Sequence, residues 1–163
     1  MRAFHYGWWT IFIIYFSVFS IPPLLPAIEN SLNLGDQQLW LTQIVGVFGD
    51  ILCRIAMGPL SDQFGARILI SILLVAGSIP VACVGFANSL VGLCILRFFL
   101  NCLLPAGVAC LQWLNGMLAV EIQGTVSAVL YGIGCTGAGA CQIVIGTLLF
   151  ALFRDIVLAE DNP

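Results

Sequence analysis

Five stretches of this sequence stay apolar over the roughly 20 residues that a helix needs to cross hydrocarbon, and little chain is left between them. That pattern decides the solvent. One soluble core of this size cannot hide so much apolar surface, so most of the chain faces lipid, where each segment must satisfy its own backbone hydrogen bonds. Composition agrees: 61% of the 163 residues are apolar and 8% are charged, against about 25% charged in a soluble domain. The fold class is an all-α membrane protein. Its spans are expected at about 8–28, 40–60, 68–86, 90–118 and 124–153, all within one partial transmembrane bundle, 1–163.

Local signals place the ends. Trp8 and Trp9 open the first span at the interface, and Pro22, Pro23 and Pro26 should kink it or end it irregularly. Asn33 to Gln38 reads as a polar turn, and Ala87, Asn88 and Ser89 as a tight one. Pro80 should bend the third span, and the fourth is long enough to tilt. Glu121, Ile122 and Gln123 separate it from the fifth, and Arg154 to Pro163 forms a short polar end. The first apolar run is preceded by Arg2 alone and is too long for the apolar part of a cleaved leader, so none is expected. Arg2 and Arg67 fall on one side and Arg154 on the other. The positive-inside bias then puts the N-terminus and the turn after the second span in the cytoplasm.

Several classes drop out. Lysine is absent and the five basic residues are arginines, too few to coat a nucleic-acid site. The seven cysteines, Cys53, Cys83, Cys94, Cys102, Cys110, Cys135 and Cys141, lie inside apolar runs without a C-x-x-C spacing. They read as small hydrophobes between helices rather than disulfide partners. His5 is the one histidine, so a catalytic set built on histidine is not expected. No enzyme activity, cofactor or metal site is expected either.

The informative residues are those that lipid should reject, since a charge at a helix centre costs about 2.5–3.5 kcal/mol on insertion scales. Arg54 sits inside the second span with Asp50 one turn earlier on the same face. It either pairs with Asp50 or snorkels to the near end, or it turns into a cavity and binds an anion through its guanidinium fork. Arg97, about two turns into the fourth span, either snorkels or joins an ion pair with another helix; Asp50 and Arg97 are the residues marked for such a pair. The loop from Gly58 through Asp62 and Gly65 to Arg67 reads as a tight turn whose two charges can bridge helix ends. The fifth span carries Gly132, Gly134, Gly137 and Gly139. This density serves close approach to another helix or to a ligand.

At these residues the chain resembles a known family. Gly58-x-Leu60-x-Asp62-x-x-Gly65-x-Arg67 is similar to the loop signature of the major facilitator superfamily, and Arg97 to that superfamily's second motif, with Asn101 where glycine is usual. Arg54-Ile55-Ala56-Met57-Gly58-Pro59-Leu60-Ser61-Asp62 resembles the nitrate/nitrite porter family more narrowly. So do Pro23-Leu24-Leu25-Pro26, Leu96-Arg97-Phe98-Phe99 with Cys110 and Trp113, and the run from Gly132 to Gly139 with Gln142. The chain departs from that pattern at Cys135, where asparagine is usual, at Thr136, and at Leu111 and Gln112. The resemblance implies the N-terminal bundle of a secondary transporter in the cell membrane, moving nitrate or nitrite with a coupled proton or by exchange. Arg54 would bind the anion together with Gly134, Gly137 and Gly139. Gly58, Asp62, Gly65 and Arg67 would form a cytoplasmic gate.

A facilitator places its substrate between two six-helix bundles. The expectation is therefore that this chain needs a C-terminal bundle or partner chain to transport. A facilitator for another small organic anion and a non-transporting membrane interaction fragment are the alternatives.

Overall fold

The computed structural model describes residues 2–26, 28, 35–84 and 89–160. Among them the regular elements are all helical: α1 (Arg2–Val18), a 3-10 turn (Pro22–Leu24), α2 (Asp36–Phe64), α3 (Ala66–Cys83), α4 (Leu90–Asn101), α5 (Pro105–Asn115) and α6 (Val120–Glu160). Five segments are long and apolar enough to cross a membrane: Ala3–Leu24, Gln37–Phe64, Ala66–Cys83, Leu90–Asn115 and Val120–Leu148. Large apolar side chains stand exposed along each, among them Trp9, Ile55, Val75, Val91 and Ile143. Water would not tolerate such a surface. The chain is an integral, multi-pass, all-α membrane protein.

The helix ends depart from the sequence reading for backbone reasons. α1 begins at Arg2 rather than near Trp8, since no proline lies between them and the isolated Gly7 is tolerated inside a helix. Beyond Val18 the chain tightens, with Leu24 N–H donating to Ile21 C=O at 2.9 Å, because Pro22 and Pro23 bring no N–H of their own. α2 outruns 40–60 at both ends. Asp36 to Gln38, expected in a turn, form its first turn, where Gly35 N–H donates to Gln38 Oε1 at 3.3 Å. At its other end the expected loop is mostly helix, with Pro59 inside it. The connection to α3 is one residue. Gly65 ends α2 and begins α3 at φ +80°, a conformation that glycine adopts freely. Its N–H reaches Ser61 C=O (3.1 Å) and its C=O receives Leu69 N–H (3.2 Å). Asn33, Leu34 and residues 85–88 lie outside the described residues.

The fourth span is two helices instead of one run over 90–118. Pro105 has no N–H, and its ring would meet the Asn101 carbonyl in a continuous helix. The chain tightens instead: Leu103 N–H donates to Leu100 C=O and Leu104 N–H to Asn101 C=O, both at 3.1 Å. Pro105 then opens α5, where a missing N–H costs nothing. Glu121 to Gln123, expected as a separator, form the first turn of α6. Gln123 closes the end of α5, its Nε2 donating to the carbonyls of Asn115 (2.8 Å) and Leu118 (3.0 Å). α6 has 41 residues, about 60 Å at 1.5 Å per residue. It therefore overruns the membrane and carries helix through the expected polar end as far as Glu160.

Packing follows the small residues. α1 lies along α6, α2 along α4, and α3 against α4 and α5, while α1 also touches α5. One buried cluster gathers Ile14, Val18, Met57, Leu69 and Leu100. A second gathers Ile11, Ile70, Leu114 and Leu130. A Cβ on Gly49 would stand 2.7 Å from the Phe98 carbonyl oxygen, so α2 and α4 meet nearly backbone to backbone. The seven cysteines are free thiols, and two of them bond to the backbone of a crossing helix. Cys110 donates to Gly7 C=O and Cys102 to Gly49 C=O, each at 3.7 Å.

Candidate functional site

Helical spacing brings Arg54 and Asp50 together on α2. Arg54 Nε donates to both carboxylate oxygens of Asp50, at 2.9 and 3.0 Å. The pairing alternative is therefore realised, but through Nε alone. Among the described residues nothing bonds to Nη1 or Nη2. Nor does the pair bury the arginine, whose side chain is 45% exposed against 18% for the aspartate. Arg54 lines a cavity of about 210 Å³ with Met57 and Gly58 of α2 and Pro105, Val108, Ala109 and Gln112 of α5. A Cβ on Gly58 would meet nothing within 4 Å, so the wall beside Arg54 is bare backbone. A larger cavity of about 560 Å³ lies among α2, α3 and α4, but side chains such as Leu73, Cys83 and Phe99 line it and offer an ion no anchor.

Arg97 takes neither expected course. It is 3% exposed, and among the described residues it forms no ion pair and its Nε has no hydrogen-bond partner. Among the described residues Arg97 meets no carboxylate of another helix, and Asp50 is taken by Arg54 on its own helix. Arg97 instead shares the inward face of α4 with Leu93 and Leu100.

The charges flanking the α2–α3 turn bridge helix ends, though not to each other. Asp62 Oδ1 accepts from Gln112 Nε2 at 3.3 Å, and Ser61 Oγ donates to Gln112 Oε1 at 3.0 Å. The Arg67 guanidinium lies over the Trp113 ring, 5.4 Å from its centroid, within cation–π range. Neighbouring residues of α5 thus receive both charges and tie α2, α3 and α5 at one end of the bundle.

The fifth-span glycines divide by face. Gly134 and Gly137 are buried against α1, where added Cβ atoms would collide with Ile11 and with the Phe12 carbonyl. Gly132 and Gly139 face open space. Tyr15 and Tyr131 join the same crossing by a hydroxyl–hydroxyl hydrogen bond. Cys135 is half-buried, and the Thr136 hydroxyl donates to Ile133 C=O at 2.6 Å. Sequence reasoning did not foresee Ser61 and Gln112 as partners, nor Gly49 as a crossing point. A lone glutamine amide in an apolar run was the available signal.

Fold and site together define a class, a polytopic helical membrane protein with an arginine on an intramembrane cavity. Its relatives make that class particular, for the chain is homologous to nitrate transporters along nearly its whole length. It is 32% identical over 156 residues to the high affinity nitrate transporter 2.5 of Arabidopsis thaliana, covering 96% of this chain and 31% of that protein. It is 34% identical over 144 residues to the high affinity nitrate transporter 2.7 of the same plant, covering 88% and 29%. With the high-affinity nitrate transporter 2.3 of Oryza sativa it shares 30% identity over 154 residues, 94% of this chain and 30% of the relative. The chain thus spans about 30% of the length of these relatives. No protein-family profile and no solved structure matches it.

Proposed function

We propose that this chain forms the arginine-bearing part of a secondary transporter for nitrate or nitrite in the cell membrane, completed by a second helical bundle. The observation that carries this reading is the state of Arg54. Its Nε is taken by Asp50, while Nη1 and Nη2 remain unpaired among the described residues beside a cavity. Those two nitrogens offer parallel N–H bonds to two oxygens of a planar anion. The partial neutralisation by Asp50 suits transport, which requires binding weak enough to release its ion. In this reading Gly58 leaves room beside the anion, Gly65 sets the turn, and Asp62 and Arg67 hold the cytoplasmic end closed. Gly134 and Gly137 seat α1 against α6, leaving Gly139 to approach substrate or the second bundle. Access alternates as one bundle rocks on the other, driven by a coupled proton or by exchange.

Nitrate binding to the chain in lipid nanodiscs tests this, with Arg54→Lys as the variant. Lysine keeps the charge and loses the fork, so affinity should fall about tenfold or more. Equal affinity in the two proteins would overturn the reading.

A further inference from the structure

Gln112 stands between the cavity and the signature turn. Of the seven residues lining the cavity, Arg54 and Gln112 alone carry polar side chains, and they approach from different helices. The orientation of the Gln112 amide is fixed by what surrounds it. Its Oε1 accepts from the Ser61 hydroxyl at 3.0 Å, and its Nε2 donates to the Asp62 carboxylate at 3.3 Å. Turned over, the amide would set its oxygen against a carboxylate that can only accept. Nε2 carries two hydrogens. One is directed at Asp62 over a distance well beyond the 2.7–2.9 Å usual for charge-assisted bonds. The second has no acceptor among the described residues.

An anion held in this cavity must satisfy its oxygens from very few donors, since the remaining lining offers none. The guanidinium fork serves two oxygens. We propose that the free Nε2 hydrogen of Gln112 serves a third, which makes Gln112 the residue that selects three-oxygen planar anions over two-oxygen ones. Nitrate then has every oxygen met, whereas nitrite fills the fork and leaves the Gln112 donor unused. A site that presents a donor discriminates against a ligand lacking the matching acceptor, because the donor loses water without gaining a partner. The inference rests on the reading of Arg54 given above.

The test measures nitrate and nitrite affinity in the whole chain in lipid nanodiscs, for wild type, Gln112→Leu, Gln112→Met and Arg54→Lys. Helical circular dichroism and the unfolding midpoint confirm that each variant folds, and methionine serves where leucine does not. Removal of the amide should weaken nitrate about tenfold and leave nitrite within about twofold, so that the preference collapses. Arg54→Lys should weaken both. If Gln112 variants lose nitrate and nitrite equally, or lose neither, while Arg54→Lys loses both, the selectivity role fails and the arginine site stands. If wild type binds neither anion, or Arg54→Lys binds as well as wild type, the arginine site fails and this inference with it.

Discussion

Arg54 is anchored by a single nitrogen, and that detail separates a structural ion pair from a usable binding group. The i, i+4 spacing from Asp50 made the pair legible in the sequence, since helix geometry alone puts the two side chains on one face. Which nitrogen the carboxylate takes was not legible, because it depends on side-chain torsions. Arg97 and Gln112 were hidden for a different reason. Hydropathy along one dimension marks a residue as costly but does not say which neighbouring helix it meets. Gly65 shows the opposite case, a turn readable from its residue type. At φ +80° an L side chain is strained by about 1–3 kcal/mol. Gly65→Ala should lower unfolding stability by that amount in a denaturant titration. The space around its Cβ is open, so a loss would come from backbone conformation rather than collision.

Among the helices, the crossings are set by where a side chain is missing. Gly137 meets the backbone of Phe12, which cannot rotate aside, whereas Gly139, two residues on, meets nothing within 4 Å. Gly137→Ala should therefore destabilise the α1–α6 contact by about 1–3 kcal/mol. Gly139→Ala should be neutral or raise stability by up to about 1 kcal/mol through helix propensity. Unfolding midpoints of the two variants in the same lipid measure the contrast. The glycine density of the fifth span announced close packing, but the division into a buried and an open face required knowing that α1 is the neighbour. Pro105 was visible in the sequence as well. Hydropathy ran across it, because a membrane span can stay apolar while its hydrogen-bond ladder is interrupted.

For the whole molecule, the span count was the most legible feature, since lipid imposes it residue by residue. The order of packing, α1 on α6 and α2 on α4, was not, because apolar faces do not name their partners. The chain corresponds to about 30% of its relatives' length, and alternating access needs two bundles that move against each other. These 163 residues, reconstituted alone in liposomes, should bind nitrate without accumulating it. Uptake of labelled nitrate by the lone chain, abolished by Arg54→Ala, would contradict this expectation.

The interruption at 102–104 has a thermodynamic consequence. Helix cooperativity passes from one peptide group to the next, and at Pro105 the relay lacks a donor. The fourth span is thus two cooperative units in series, and fraying that starts near Asn115 halts before it reaches Arg97. Amide exchange should accordingly report separate opening free energies for α4 and α5 rather than one shared value for the span.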